Sequence, residues 1–149
     1  MNRPKIEFVE VDGLRLRVAT QAGAGGGIPL LIFNGIGAHF ELVFPFMEAM
    51  DGIEMIIFDI PGIGRSEMSW KPRRFAGLAQ LTSKLLDRLG YPEVDVAGVS
   101  WGGALAQQFA RQYPQRCRRL ILAATSAGAF MIPGRPKALS KIITPQRYF

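Results

Sequence analysis

The 149-residue chain predicts an α/β fold, a mostly parallel β-sheet with helices on both faces. Three observations predict it. Unbroken apolar runs such as Leu30-Leu31-Ile32-Phe33 and Met55-Ile56-Ile57-Phe58 suit strands buried on both sides, as parallel strands are. Longer stretches with apolar residues at helical spacing lie between those runs. The two kinds of segment alternate, and alternation builds parallel pairs through right-handed crossovers.

The elements follow in order. Residues 6–11 and 14–18 alternate in character about Asp12-Gly13, a dipeptide suited to the positive φ of a tight hairpin turn. Residues 21–27, rich in glycine, read as a flexible connection. Pro29–Phe33 is a buried strand that stops at Asn34-Gly35-Ile36-Gly37. From Glu41 to Met50 the apolar residues recur at helical spacing and end near Asp51-Gly52. Met55–Phe58 is the next buried strand, stopped by the turn-forming segment Asp59–Ser66. Residues 74–89 put Phe75, Leu78, Leu81, Leu85, Leu86 and Leu89 on one helical face, with Gly90 as the C-terminal stop. A strand over 94–98, a helix from Trp101 to Tyr113 ended by Pro114, and a strand over 120–124 complete the pattern. Beyond Thr125, Gly128, Pro133, Gly134, Pro136 and Pro145 leave one short helical candidate, Pro136–Ile142.

Size and composition narrow the function classes. The length fits one domain, and an apolar fraction of 48% can fill a core. No apolar stretch is long enough to span a bilayer. The N-terminus, Met1–Phe8, lacks the apolar core of a secretory signal, so a cytoplasmic protein is expected. The single Cys117 permits no internal disulfide and no cysteine metal cluster, and its place before a strand suits a small structural residue. The net charge of +6 is uneven: residues 96–149 hold 8 basic side chains and no acid. Such a block could meet nucleic acid or an anionic surface. Its cations are scattered and not interleaved with stacking aromatics, so no nucleic-acid partner is expected.

The chemistry concentrates at Gly98-Val99-Ser100-Trp101-Gly102, a G-x-S-x-G pattern between a strand and a helix. A strand turning directly into a helix holds the serine on a tight corner with its side chain exposed. Gly98 and Gly102 flank it where the two backbones pass too close for a larger residue. Ser100 is therefore the candidate nucleophile. The Trp101 amide, at the start of the following helix, is one candidate donor to an oxyanion. The Ile36 amide, in the loop bent by Gly35 and Gly37, is the second. A glycine turn serving only chain reversal is the competing reading of that loop.

Other residues earn smaller roles. The loops Asn34–Ala38, Asp59–Ser66 and Gly98–Gly103 all leave the carboxyl ends of predicted strands, where ligands of open α/β sheets bind. Gly35-Ile36-Gly37 and Gly62-Ile63-Gly64 are too short to be nucleotide-binding motifs, and no G-x-x-x-x-G-K-[ST] occurs. His39 precedes Ser100 in the chain, so a surface or loop-packing role is expected for it. Asp59 is expected to hold the Pro61-Gly62 turn through hydrogen bonds to backbone amides, and Arg73 and Arg74 to lie on a solvated face. A serine nucleophile needs a base and an acid to orient that base. No Asp, Glu or His follows Ser100 in the 149 residues.

The chain resembles the α/β-hydrolase superfamily throughout, in the Asn34–Gly37 loop, the D-x-x-G-x-G-x-S segment Asp59–Ser66 and the Gly98–Gly102 elbow. Phe33–Ala38, Glu41–Phe46 and Gly98–Ala110 resemble more narrowly the intracellular depolymerases of medium-chain poly(3-hydroxyalkanoates). That resemblance implies hydrolysis of polyester through a Ser-His-Asp triad, with no metal and no cofactor. It implies an ester substrate such as poly(3-hydroxyalkanoate), and a cytoplasmic location with the storage-granule surface as a partner. Serine at position 100 favours hydrolysis over the polymerisation carried out by related cysteine enzymes. The family continues with a cap, two further strands and the loops bearing Asp and His. By that comparison, residues 1–125 are the N-terminal part of the core, truncated before the last strands, and 126–149 begin the cap. The stretch alone is then expected to be inactive. A small-molecule esterase, a C–C hydrolase of the same fold and a non-catalytic binding protein remain as alternatives. For the polyester reading, Phe33, Ile36, Phe40, Leu42, Phe44 and Trp101 are the expected apolar surroundings of the oxyanion donors.

Overall fold

A computed structural model describes residues 3–126. The expected hairpin forms from β1 (Lys5–Val11) and β2 (Leu14–Gln21), paired antiparallel with Val11 opposite Leu14. The turn takes Asp12 and Gly13 to positive φ, 51° and 73°, as the dipeptide predicts. β3 (Leu30–Phe33), β4 (Met55–Phe58), β5 (Val94–Val99) and β6 (Cys117–Ala123) complete one six-stranded sheet in the order β1-β2-β4-β3-β5-β6. β3, β4, β5 and β6 pair in parallel. The antiparallel hairpin joins them through β2 and β4.

The helices divide between the faces as the two-sided burial requires. Alternation along β3 and β4 sends Leu31, Phe33, Ile56 and Phe58 to one face, where α2 (Phe75–Leu89) and α3 (Trp101–Gln112) cover them. Phe33 packs there against Phe58 and Phe109, ring centroids 6.2 Å apart in each pair. Leu30, Ile32, Met55 and Ile57 point the other way and meet Phe40 and Met47. Burying a side chain of this size contributes ~1.5–3 kcal/mol, so the all-buried β3 and β4 anchor the sheet.

Three boundaries differ from the sequence expectation, each for a local reason. The helix expected over 41–50 is a 3₁₀ turn at Phe40–Val43 followed by the short α1 (Phe44–Ala49). Pro45 cannot donate to a preceding turn but suits the start of a helix, so the α-helix begins there. Gln21, placed by the pattern in a flexible connection, is buried at the end of β2 and donates to the Met47 carbonyl at 2.9 Å. β6 begins at Cys117, ahead of the apolar run, because Arg118 lies beside Asp95 of β5 and makes two hydrogen bonds of 2.8 and 2.6 Å. Residues 127–149, which include the helix expected over Pro136–Ile142 and nearly all of the expected cap segment, lie outside the described residues.

Candidate active site

Chain order explains where the site sits. β3 lies between β4 and β5, so the connection after β3 leaves in one direction and that after β5 in the other. The carboxyl ends of such neighbours open a crevice. Ser100 stands in it, between the last residue of β5 and the first of α3.

Its backbone is strained. Ser100 has φ 54° and ψ −119°, far from the small left-handed well open to L-residues. The close packing that keeps it there falls on its glycine neighbours. A Cβ on Gly98 would lie 2.5 Å from the Gly102 oxygen and 2.6 Å from the Gly103 Cα. One on Gly102 would collide with the carbonyl oxygens of Phe33 and Asn34. Strand β5, helix α3 and the end of β3 therefore meet with no room for side chains. The Ser100 amide donates to the Ala123 carbonyl at 2.9 Å, tying the corner to β6 as well.

The loop after β3 comes up beside the serine. A Cβ on Gly35 would be 4.0 Å from the Ser100 Cβ, and Gly37 bends the loop at φ 69°. Asn34 braces it twice, accepting from the Gly35 amide at 2.8 Å and donating to the His39 carbonyl at 3.2 Å. The Ala38 amide donates to the Gly35 carbonyl at 3.2 Å. The Ile36 amide, the expected donor, has no hydrogen-bond partner among the described residues. Trp101 opens α3, so its amide has no carbonyl one turn behind to engage. Both amides are thus without a hydrogen-bond partner among the described residues.

Asp59 does more than hold its own turn. Its Oδ1 accepts from the Phe40 amide at 2.9 Å, so it fastens the far end of the β3 loop to the β4 loop. Its backbone carbonyl accepts from the Ser66 hydroxyl at 2.6 Å, and Ser66 Oγ accepts from the Arg17 amide at 2.8 Å. Gly64 is required because a Cβ there would strike the Asp59 carboxylate. Burial pushes the Asp59 carboxyl above its usual value. The Phe40 and Arg65 amides and Arg17 oppose that shift without cancelling it. Arg17 also pairs with Glu41 and lies 4.4 Å from the centre of the Phe40 ring. Burial raises the Glu41 carboxyl, but its own amide, Arg17 and His39 outweigh it and leave the group below its ordinary value. Spacing alone could not reveal this clamp, whose partners come from β2, the β3 loop and the β4 loop.

His39 is half exposed and its Nδ1 lies 2.8 Å from Glu41, which fits the loop role expected of it. Of the apolar residues expected around the donors, Phe33, Ile36 and Trp101 line a hollow of about 150 Å³ beside the loop. Phe40 is instead a core residue, stacked on Phe44 at 5.5 Å, and Leu42 points to solvent. The 3₁₀ turn sends them away from the hollow. Ile60, Pro61 and Ile63 take their place; the glycine pattern marked that segment as a loop without marking its apolar lining. No group of acids, histidines or cysteines arranged to hold a metal occurs among the described residues.

Comparison with known proteins agrees with this geometry. The family model described as alpha/beta hydrolase fold matches residues 28–141. The chain is 57% identical over 141 residues to a poly(3-hydroxyalkanoate) depolymerase of Ectopseudomonas oleovorans, covering 94% of this chain and 50% of that protein. It is 32% identical over 108 residues to a 2-hydroxy-6-oxo-6-phenylhexa-2,4-dienoate hydrolase of Comamonas testosteroni, covering 68% of this chain and 37% of the relative. A crystal structure of a hydrolase from Pseudomonas aeruginosa PA01 superimposes with a TM-score of 0.74 at 29% identity, over 93% of this chain and 51% of that one. The chain thus spans about half the length, or less, of these relatives. With its mostly parallel sheet, its strained serine between β5 and α3 and its glycine-lined loops, the chain belongs to the alpha/beta hydrolase fold family.

Proposed function

We propose that this chain carries the nucleophilic half of a serine ester hydrolase acting on polyesters of 3-hydroxy acids. The observation that carries the reading is the backbone of Ser100, held at φ 54° and ψ −119° beside two free amides. Strain of that kind is maintained where the surrounding structure over-determines it, and it serves to project a reactive side chain. In this reading Ser100 Oγ gives its proton to the triad base and attacks the ester carbonyl. The ester C–O bond breaks, the alcohol end of the polymer leaves with that proton, and the acyl group stays on Ser100 until water releases it as the acid. The amides of Ile36 and Trp101 receive the oxyanion, each being worth a factor of ~10²–10³ in rate. Gly35 and Gly37 shape the donor loop, and Gly98 and Gly102 shape the elbow.

The identity with the depolymerase supports a polyester as substrate; in this reading the polymer is met at the surface of a cytoplasmic storage granule. The apolar hollow lined by Ile36, Ile60, Ile63 and Trp101 supports it too. Each methylene of an alkyl side chain buried there contributes ~0.8 kcal/mol, so three or four carbons shift preference by ~100-fold. No metal or cofactor enters this chemistry. The base and acid of the triad are not among the residues after Ser100, and the 149 residues alone are expected to show no acyl-enzyme burst and no turnover.

The test joins this chain to the part of the 57%-identical depolymerase that it does not cover. An organophosphonate is expected to label Ser100, the chimera to release 3-hydroxy acids from emulsified polymer, and Ser100→Ala to lower kcat by ~10⁶. Label on another serine, or turnover by Ser100→Ala, refutes the assignment. A steady decline of kcat/KM with acyl length and no attack on polymer leaves a small-molecule esterase.

A further inference from the structure

The segment between Glu67 and Arg74 is not used by the chemistry, and its side chains are unusual for a surface loop. Met68 is 72% exposed and Trp70 is 98% exposed. Lys71, Arg73 and Arg74 follow, with no acid from Met68 through Arg74. Among the described residues none of these three cations is paired with a carboxylate. The Arg73 Nε is shut off from water and has no acceptor.

The segment is a built projection. Its start is pinned where the Glu67 amide donates to the Arg15 carbonyl at 2.9 Å and the Glu67 carbonyl accepts from Gly62 at 3.2 Å. Its end is the cap of α2. Ser69 Oγ donates to the Lys71 carbonyl at 2.8 Å across the tip. It also stands at the mouth of the candidate site. Met68, Lys71 and Arg73 share a surface hollow with Ile60, Pro61 and Trp101, and those last three also border the hollow beside the Ile36 loop.

A fully exposed indole costs apolar hydration, and a tryptophan finds its favourable setting at the boundary of an apolar phase and water. Unpaired cations beside it match a boundary that carries negative charge. We propose that Met68–Arg74 is an attachment loop for an anionic lipid surface, with Met68 and Trp70 entering the apolar layer and Lys71, Arg73 and Arg74 meeting phosphate oxygens. Attachment by this loop turns the mouth around Trp101 toward the surface. It requires neither Ser100 nor turnover, so it stands or falls apart from the ester-hydrolase reading.

The test uses the 149-residue chain and sonicated vesicles, either of phosphatidylcholine alone or of equal parts phosphatidylglycerol and phosphatidylcholine. Co-sedimentation is expected with the anionic vesicles, weakening as salt is raised. In Trp101→Phe, where Trp70 is the only indole, the emission is expected to shift to the blue on binding. Trp70→Ser with Met68→Ser is expected to abolish co-sedimentation, and each of Lys71→Gln, Arg73→Gln and Arg74→Gln to weaken it about fivefold. Met68, Trp70, Lys71 and Arg74 are at the surface and Arg73 is partly buried, and unchanged circular dichroism shows that each variant is folded. Equal binding to neutral vesicles, equal binding to a neutral polyester emulsion, Trp70-dependent self-association without vesicles, or an unshifted Trp70 emission would each overturn the proposal.

Discussion

Replacing Ser100 with glycine should make the chain more stable while removing its proposed nucleophile. Holding a non-glycine residue at φ 54° and ψ −119° costs on the order of 1–3 kcal/mol. Glycine adopts that conformation freely but loses an extra ~0.5–1 kcal/mol of unfolded-state entropy on folding. The balance is a net gain of about 1 kcal/mol. Ser100→Ala is the control: it keeps the Cβ that causes the strain. Ser100 Oγ has no hydrogen-bond partner among the described residues, so the alanine variant should stay within about 0.5 kcal/mol of the parent. Thermal unfolding of the three chains, followed by circular dichroism, reads the difference as a rise in Tm of ~2–4 °C for glycine alone. The measurement needs no activity and works on the 149 residues as they stand. A glycine variant no more stable than the alanine variant would refute the claim that the elbow stores strain.

Gly98→Ala should destabilise by ~1–3 kcal/mol, since its Cβ would press on the backbone of Gly102 and Gly103; Gly35→Ala, with 4.0 Å to the Ser100 Cβ, should be far milder. Urea unfolding of both separates them, and equal losses would contradict the close packing at the elbow. Asp95 gives a pH test. Hydrogen bonds from Arg118 hold its carboxyl below the ordinary value against a smaller upward push from burial. Its contribution to stability is thus present above the unfolded value of about 3.9 and is lost as pH falls through the folded one. Asp95→Asn should flatten that part of the acid unfolding profile, and an unchanged profile would show that the pair adds nothing.

Local patterns carried much of this protein. Asp12-Gly13 names its turn, Gly90 ends α2 in the left-handed conformation at φ 80°, and the buried strands announce themselves as unbroken apolar runs. The serine elbow was legible for the same reason: Gly98, Ser100 and Gly102 meet a steric demand set within a few residues, and that demand leaves a mark in sequence. What the pattern could not supply was any arrangement made between distant segments. The carboxylate of Asp59 on the Phe40 amide, Arg17 across the Phe40 ring, and the Arg118 pair that starts β6 early each join parts of the chain that only the sheet order brings together. Direction was equally hidden. Phe33, Phe40 and Trp101 look alike as apolar letters near the donor loop, yet the first lies in the core beside the hollow, the second sits under α1 and the third borders the site. A hydrophobic side chain records only that it leaves water. Which face it joins is decided by the strand or turn that carries it and by the neighbours that the tertiary structure places there.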